Sequence, residues 1–462
     1  MTWGSFFVRS SSLVIVLPLL LTRLTTAEIA LWFLFTTIIG LQILVDIGFS
    51  PTFSRYIAYG MSGSEIQHLN SPNGQNSGEP NWATIASIYS TMRTVFFRLG
   101  LLWTFLLVTI GTYSLLKPIS TVDNKYSAWA SWAIILVVST ITVQGNSYSA
   151  YLQGVNQIAL LRRWETITAF CGVVTSYFVL IFDGGLLGLV IANQVWQAIS
   201  ILRNRLLVSS LDLDKLLKVS VGRFNKDVLL AVWPSAWRSG LGILMCYGLI
   251  QVSGIIYAQI GDPSSVAAYL LSLRLIQAIS QFSQAPFYSK LPLLSRLYAD
   301  GRHAELLQIA RRGMALSHWS YLAGLVGLGL FGAPLLKFVG SNAPFPEQLL
   351  WSLLGFGFLI ERFGAMHLQL YSTCNHIIWH IVTAVSGTIF MFVSILLFNS
   401  IGVYAFAIGI IAGYAGFYSW YSALHSYRKF NINIINFEIG SFILPFIVTA
   451  TYLIYVCVIS YV

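Results

Sequence analysis

The polar residues of greatest chemical interest lie within a long apolar segment near the middle of the chain. Arg274, Gln277, Gln281 and Gln284 follow one another at spacings of three, four and three residues. At about 100° per residue, a helix would bring all four side chains within an arc of roughly 80°. Arginine forms paired hydrogen bonds with phosphate oxygens, and glutamine amides can bond to sugar hydroxyls. Arg274, Gln277 and Gln281 are therefore the candidate binding residues for a polar, anionic ligand.

A purely structural role for this stripe is the alternative. Arg274 lies about ten residues into its segment, roughly 15 Å from the start at 1.5 Å per residue, which is close to the centre of a bilayer. A guanidinium at that depth costs at least about 2.5 kcal/mol unless it meets water, an anion or a partner. The glutamines could equally bond neighbouring helices together. We favour a hydrated substrate pathway because one face carries four large polar side chains.

Further charged residues lie within or at the ends of apolar segments. Arg238 near the inner end of segment seven and Arg23 at the outer end of segment one line the same cavity or extend to lipid headgroups. Asp46 is a candidate for coupling to a proton or Na⁺ gradient, or for pairing with an arginine. The adjacent Glu361 and Arg362 are more typical of a structural network between helices.

The sequence indicates no metal site, no cofactor and no enzymatic activity. His376 and His380 have the spacing of helical metal ligands, but no glutamate follows the first histidine. The four cysteines lie at unrelated spacings, as small core residues do. Neither a P-loop nor a G-x-S-x-G motif occurs in the sequence.

Composition predicts an all-α polytopic membrane protein. Hydrophobic residues make up 56% of the chain and charged residues 9%, against about 25% charged in soluble domains. Many apolar runs approach the ~20 residues that cross a bilayer, where backbone groups must be bonded within a helix. Predicted segments one to thirteen cover residues 5–26, 29–50, 92–116, 127–150, 164–182, 185–205, 228–258, 265–288, 314–337, 347–371, 377–398, 401–424 and 438–460.

An internal repeat divides these segments into two sets of six. Pro51 to Gly60 reads PTFSRYIAYG and Pro292 to Gly301 reads PLLSRLYADG, each at the end of the second segment of its half. Because six is even, both halves enter from the same face, as a parallel duplication requires. We predict a six-helix lobe at 1–205, a cytoplasmic amphipathic linker at 206–227, a second lobe at 228–427 and an extra C-terminal segment at 428–462. The polar loop 61–81 is an insertion in the first half.

Most of the 26 Lys and Arg residues fall on one side of the predicted segments. By the positive-inside rule that side is cytoplasmic, and the N-terminus lies there too. The net charge of +10 is thereby explained by topology, so we predict no nucleic-acid partner. A location in the bacterial inner membrane, among membrane lipids, follows from the family resemblance below.

The stretches DIGFSPTFSR at 46–55 and LPLLSRLYADG at 291–301 resemble the polysaccharide transporter branch of the multidrug/oligosaccharidyl-lipid/polysaccharide exporter superfamily. That branch includes the O-antigen (Wzx-type) flippases, and the likeness covers about 1–427. In that family segments one, two, seven and eight line a cationic cavity between two lobes. The resemblance places Arg23, Asp46, Arg238 and the Arg274 stripe in such a cavity.

The resemblance implies a flippase for surface-polysaccharide repeat units, as in lipopolysaccharide biosynthesis. Its substrate would be a polyprenyl-diphosphate-linked glycan, moved to the outer leaflet by alternating access. Partners would include a polysaccharide polymerase and a chain-length regulator. Two alternatives stay open: a multidrug cation antiporter of the same superfamily, which would favour carboxylates in its spans, and a membrane-embedded glycosyltransferase or polymerase, which would need a sizeable outer catalytic loop.

Overall fold

The computed structural model describes residues 15–63, 79–218, 224–374 and 378–461, and within these ranges the regular structure is helical, without β-strands. Contacts divide the chain into two compact units, Met1–Ile243 and Leu244–Val462. The all-α fold class predicted from the sequence is confirmed.

The helices of the first unit correspond to the predicted segments, but the helix of segment three begins earlier, at Trp82, the helix of segment six extends further, to Lys218, and segment two is interrupted. They are α1 (Leu17–Arg23), α2 (Thr26–Gly40), α3 (Gln42–Val45), α4 (Phe49–Met61), α5 (Trp82–Leu106), α6 (Thr112–Ser120), α7 (Lys125–Gly154), α8 (Ile158–Ile181), α9 (Gly185–Lys218) and α10 (Lys226–Ile243). A π-helical turn at Leu107–Gly111 joins α5 to α6 without a break.

The second unit begins with a π-helical turn at Leu244–Gly248. Its helices are α11 (Leu249–Ala258), α12 (Pro263–Ser283), α13 (Ala285–Tyr288), α14 (Leu291–Ala299), α15 (His303–Val339), α16 (Gln348–Ser372), α17 (Trp379–Ile401), α18 (Tyr404–Gly413), α19 (Ser419–Phe430), α20 (Ile434–Glu438) and α21 (Leu444–Tyr461). Further π-helical turns connect α18 to α19 and α20 to α21.

Nine helical stretches in the described part of the chain are long and apolar enough to cross a membrane. They correspond to predicted segments two to six, nine to eleven and thirteen. Residues 5–14 of segment one lie outside the described ranges, and its remaining part contains the short helix α1. Segments seven, eight and twelve are helical but do not reach the same length and apolarity. The polytopic membrane class is confirmed, and the two segments that carry Arg238 and Arg274 are among its more polar members.

Segment two is not one continuous helix, as the sequence had led us to expect, but breaks at Asp46–Gly48. Ile47 and Gly48 have φ values of 47° and 71°, in the left-handed region. α4 then starts at Phe49 and carries the first copy of the repeated motif. In the second unit, α12 likewise ends before the short α13, and α14 carries the second copy. Each motif thus forms a separate short helix after an interrupted one.

The first motif helix packs closely against the end of α7. Phe53 and Ile57 of α4 are fully buried in the core cluster of this unit. A Cβ atom on Gly154 would lie 2.6 Å from the Cβ of Ile57 and 2.8 Å from the carbonyl oxygen of Ser54. Only glycine permits this approach, since side-chain carbon atoms do not pack at such distances.

Two further predicted regions can be located. Residues 206–218 of the predicted linker continue α9 as a helix, and 219–223 lie outside the described residues, as do 64–78 of the loop insertion. The extra C-terminal segment forms α20, a π-helical turn and α21, and it packs against α15 and α16. The contact boundary at Ile243 falls within segment seven, so the domain limits inferred from the repeat stay a prediction.

Candidate substrate-binding site

The predicted binding stripe lies on α12, which begins at a well-formed cap. The carboxylate of Asp262 accepts a hydrogen bond from the backbone N–H of Ser265 at 3.0 Å, and Pro263 occupies the first turn. These bonds from Ser265 hold the pKa of Asp262 below its usual value. A proline in the first turn is favourable because its missing N–H needs no partner there.

Exposure along the stripe is greatest at Gln281, and Gln284, just after the end of α12, is half-buried. Arg274 and Gln277 are half-buried, and Gln281 is exposed. Ile276, on another face of the helix, is fully buried. The structure thus confirms that Arg274, Gln277 and Gln281 share a helix. The end of the stripe at Gln281 is accessible.

The end of α12 is held by an arginine of α16. Arg362 is 3% exposed, and its guanidinium donates hydrogen bonds to both the backbone carbonyl and the hydroxyl of Ser280. The N–H of Gln284 bonds to Phe282 rather than to Ser280, and Pro286 has no N–H to continue the helix. The carbonyl of Ser280 also accepts from the hydroxyl of Ser283 at 3.1 Å, and Arg362 adds the bond that ties this helix end to α16.

Arg23 and Asp46, both predicted site residues, have protein partners in the first unit. Arg23 ends α1 and forms an ion pair with Asp183 at 2.9 Å, joining α1 to the turn after α8. Asp46 accepts hydrogen bonds from the backbone N–H of Ser50 at 3.2 Å and from its hydroxyl at 2.7 Å. Asp46 thus caps α4 across the break. Substrate binding by Arg23 and ion coupling by Asp46 stay predictions.

Arg238 lies where α10 crosses the break of segment two. A Cβ on Gly240 would lie 2.8 Å from the Cα of Ile47, and one on Gly48 would overlap Ser239. Arg238 itself is exposed, and its guanidinium lies 6.0 Å from the ring centroid of Trp237. The structure therefore places Ser239 and Gly240, the residues after Arg238, against the interrupted helix that contains Asp46, and substrate binding by Arg238 stays a prediction. Arg23 lies in a different contact, between α1 and the turn after α8.

Sequence reasoning missed a polar cavity of about 510 Å³ between α7, α8 and α9. One polar stripe on α9 contributes to its lining: Asn193, Gln197, Ser200 and Asn204. Their spacings of four, three and four residues place them on one helix face. The helix spacing that identified the stripe on α12 would also have identified the stripe on α9.

A buried hydrogen-bond network was also missed, and it joins the C-terminal segment to the rest of its unit. The carboxylate of Glu438 accepts from the hydroxyls of Tyr427 at 2.8 Å and Ser441 at 2.7 Å, and lies 3.1 Å from Nε2 of His367. Nδ1 of His318 lies 2.8 Å from the carbonyl oxygen of Ser441. His367 and Glu438 are 1% and 6% exposed, so this network fixes α20 against α16 and α19.

No protein-family model matches the chain, and neither does any curated protein sequence. Two solved structures share its architecture. An inward-facing multidrug resistance MATE family transporter of the MOP superfamily matches with a TM-score of 0.67 and 12% identity, over 90% of this chain and 93% of that one. The lipid II flippase MurJ, in an inward closed conformation, matches with a TM-score of 0.63 and 12% identity, over 99% and 97%. The chain therefore has the fold of these transporters.

Proposed function

We propose that the protein is a flippase that moves a polyprenyl-diphosphate-linked oligosaccharide from the cytoplasmic to the outer leaflet of a bacterial inner membrane. The observation that carries this proposal is the stripe of Arg274, Gln277 and Gln281 on α12, which runs from the half-buried to the exposed part of a helix. A charged and amide-bearing face of this kind is expensive against lipid and favourable against a hydrated polar headgroup.

The chemistry of the stripe fits the two polar parts of this substrate. The planar guanidinium of Arg274 can bind two diphosphate oxygens at once, whereas an ammonium would act as a point charge. The amides of Gln277 and Gln281 can each donate to and accept from sugar hydroxyls. Arg362 supports this arrangement because it holds the end of α12 at Ser280.

The two structural neighbours support a transporter without identifying the substrate. One is named as a flippase for lipid II and the other as a multidrug transporter, and both have this fold at 12% identity. A polyprenyl-diphosphate-linked glycan is, like lipid II, a lipid-linked substrate, so our proposal is closer to the flippase. Transport would proceed by alternating access, driven by a proton or sodium gradient, and the product would pass to a polysaccharide polymerase with its chain-length regulator. The proposal involves no cofactor and no enzymatic step.

A multidrug cation antiporter is the rival with the same fold. Such a protein would use carboxylates to bind its cations, but three carboxylates in the helical part of this chain already accept hydrogen bonds or ion pairs. Asp46 is bonded to Ser50, Glu165 to Arg162, and Glu438 to Tyr427 and Ser441. The arginine of α12 would also repel a cationic drug.

The proposal is tested with the full chain in vesicles that contain a labelled polyprenyl-diphosphate oligosaccharide. Replacing Arg274 by alanine should slow transbilayer movement about 10-fold to 100-fold, since hydrogen bonds to a charged group contribute about 1.5–3 kcal/mol. Arg274→Lys should recover part of the rate, because it keeps the charge and loses the paired geometry. Gln277→Ala and Gln281→Ala should each reduce the rate by less.

Arg312→Ala is the matched control, because Arg312 is an exposed arginine on another helix of the same unit. It should leave the rate unchanged. Folded yield is measured for every variant by size-exclusion chromatography. Wild-type rates in well-folded Arg274→Ala would eliminate the proposed diphosphate site.

A further inference from the structure

The polar cavity of the first unit lies among three helices that are each long and apolar enough to cross a membrane. Its volume of about 510 Å³ is within the range of roughly 300–1,000 Å³ that small-molecule sites occupy. Several lining hydroxyls, such as those of Thr142 and Ser200, donate to carbonyls of their own helices. The amides of Asn146 and Gln197 line the cavity as well, so its surface suits a polar occupant.

Besides the stripe on α9, the helices α7 and α8 also present polar residues to the cavity. From α7 the lining includes Thr142, Asn146 and Ser149, and from α8 it includes Thr168 and Ser176. Thr142, Thr168 and Ser176 are all at least nine-tenths buried. The site is consequently lined in part by buried residues of the bundle, and it opens to the surface beside the exposed Gln197.

The charges in the lining cancel and are already engaged. Glu165 forms an ion pair with Arg162 at 2.8 Å. Arg203 donates to the amide oxygen of Asn204 at 3.1 and 2.6 Å, and to the hydroxyl of Thr168 at 3.5 Å. An anion would be repelled by Glu165 and a cation by Arg203. The remaining lining of amides and hydroxyls favours an uncharged ligand that is rich in hydroxyl groups.

An aromatic ring completes the lining. Trp196 faces the cavity, and its indole N–H donates to the hydroxyl of Thr175 at 3.0 Å. That bond holds the ring in one orientation, so its face is available for apolar contact with the C–H side of a sugar ring. Amides, hydroxyls and a fixed tryptophan together match the alternating polar and apolar faces of a sugar.

We infer that this cavity binds an uncharged sugar unit of the transported glycan. The inference rests on the proposed function, because it takes the substrate to carry a glycan. It adds a sugar site on α7, α8 and α9 that is built separately from the arginine stripe on α12. Asn146 supplies hydrogen bonds to the sugar, and Trp196 supplies the apolar contact. The NH2 group of Asn193 donates to the hydroxyl of Ser176 at 3.2 Å and to the carbonyl of Leu189 at 2.9 Å, so Asn193 contributes its amide oxygen as an acceptor.

The test is protection of a cavity cysteine in the purified full chain. Ser200→Cys is introduced after Cys171, Cys246, Cys374 and Cys457 have been replaced by alanine, and its reaction with a hydrophilic maleimide is timed. The probe is the oligosaccharide released by mild acid from the host's polyprenyl-diphosphate lipids. It should slow the reaction at least fivefold at millimolar concentration.

Changes that remove amides should weaken this protection. Asn146→Leu should raise the half-protecting sugar concentration about tenfold, since an amide can form two or more neutral hydrogen bonds. Asn193→Leu should raise it by less, because the NH2 group of Asn193 already donates to acceptors within the protein. Gln144→Leu is the matched control, because Gln144 lies on the same helix as Asn146 but packs beside Gly100. It should leave protection unchanged. Ser209→Cys, an exposed position farther along α9, should react equally with and without sugar.

Three results would overturn the inference. Rapid labelling of Ser200→Cys without sugar protection would show a cavity that holds water alone. Protection by sodium chloride but not by sugar would indicate a cation site. Equal loss of protection in Gln144→Leu and Asn146→Leu, with both variants folded by size-exclusion chromatography, would show that Asn146 does not bind the sugar. Flipping by wild-type protein without protection would refute only the sugar site, whereas protection without flipping would refute the proposed function and leave this site supported.

Discussion

The crossing of α10 over the break in segment two leads to a sharp stability prediction for Gly48→Ala. Gly48 has φ +71°, and a Cβ there would overlap the Cβ of Ser239 and lie 3.0 Å from the carbonyl oxygen of Ala236. Gly185 is the matched control, because it has φ +62° but open space around the same position. The two glycines therefore share backbone strain and differ in packing.

The two contributions can be estimated separately. An alanine in the left-handed region costs about 1–2 kcal/mol, which applies to both Gly48→Ala and Gly185→Ala. Overpacking against α10 adds about 1–3 kcal/mol at Gly48 alone. We therefore expect Gly48→Ala to be the more destabilising by about 1–3 kcal/mol. For a unit of this size each kcal/mol lowers the melting temperature by about 2–4 °C.

The assay is thermal unfolding of purified protein in one detergent, with wild type and both variants at the same concentration. A second-site change isolates the packing contribution. Ser239→Gly removes the side-chain atom that Gly48→Ala would overlap. Adding Gly48→Ala to Ser239→Gly should therefore lower the melting temperature by less than adding Gly48→Ala to the wild type. Equal losses in Gly48→Ala and Gly185→Ala, or an undiminished loss when Gly48→Ala is added to Ser239→Gly, would refute the close crossing.

Other predictions concern topology and two buried polar contacts. Cysteines at Ser209 and Asn342 should label from opposite sides of sealed cells, and labelling of both from outside would contradict the assigned orientation. Arg362→Leu should lower thermal stability and slow glycan movement, because the carbonyl and hydroxyl of Ser280 lose the charged donor that ties α12 to α16, and the carbonyl keeps the bond from Ser283; a variant with normal stability and rate would contradict that anchoring role. Glu438→Leu should destabilise the protein by about 3 kcal/mol or more, since it leaves His367 and two hydroxyls without an acceptor; an unchanged melting temperature would contradict the network.

Local patterns predicted much of the helical organisation, because apolar length and helix periodicity are properties of contiguous sequence. The shared helix of Arg274, Gln277 and Gln281 follows directly from their spacing. The break after Asp46 was missed because 29–50 is mostly apolar and long enough to form one helix, although Gly48 marks the left-handed position. α12 ends at Ser283, before the predicted limit of segment eight.

Long-range partners could not be predicted, because they depend on how separate helices pack. Arg23 pairs with Asp183, which lies 160 residues away in the chain. Arg362 was correctly expected to belong to a structural network, but its partner Ser280 lies 82 residues away. The cavity between α7, α8 and α9 depends on three such faces meeting, and only the stripe on each helix is visible in the sequence.

The choice of substrate is the central claim, and it can be measured directly in sealed vesicles that contain the full wild-type chain. The vesicles carry a labelled polyprenyl-diphosphate oligosaccharide in one leaflet and a cationic dye in the lumen, and a proton or sodium gradient is applied. We predict that the glycan becomes accessible to an impermeant sugar-oxidising reagent on the opposite side, while the dye stays in the lumen. Gradient-driven release of the dye, with the glycan lipid retained in its original leaflet, would contradict the account.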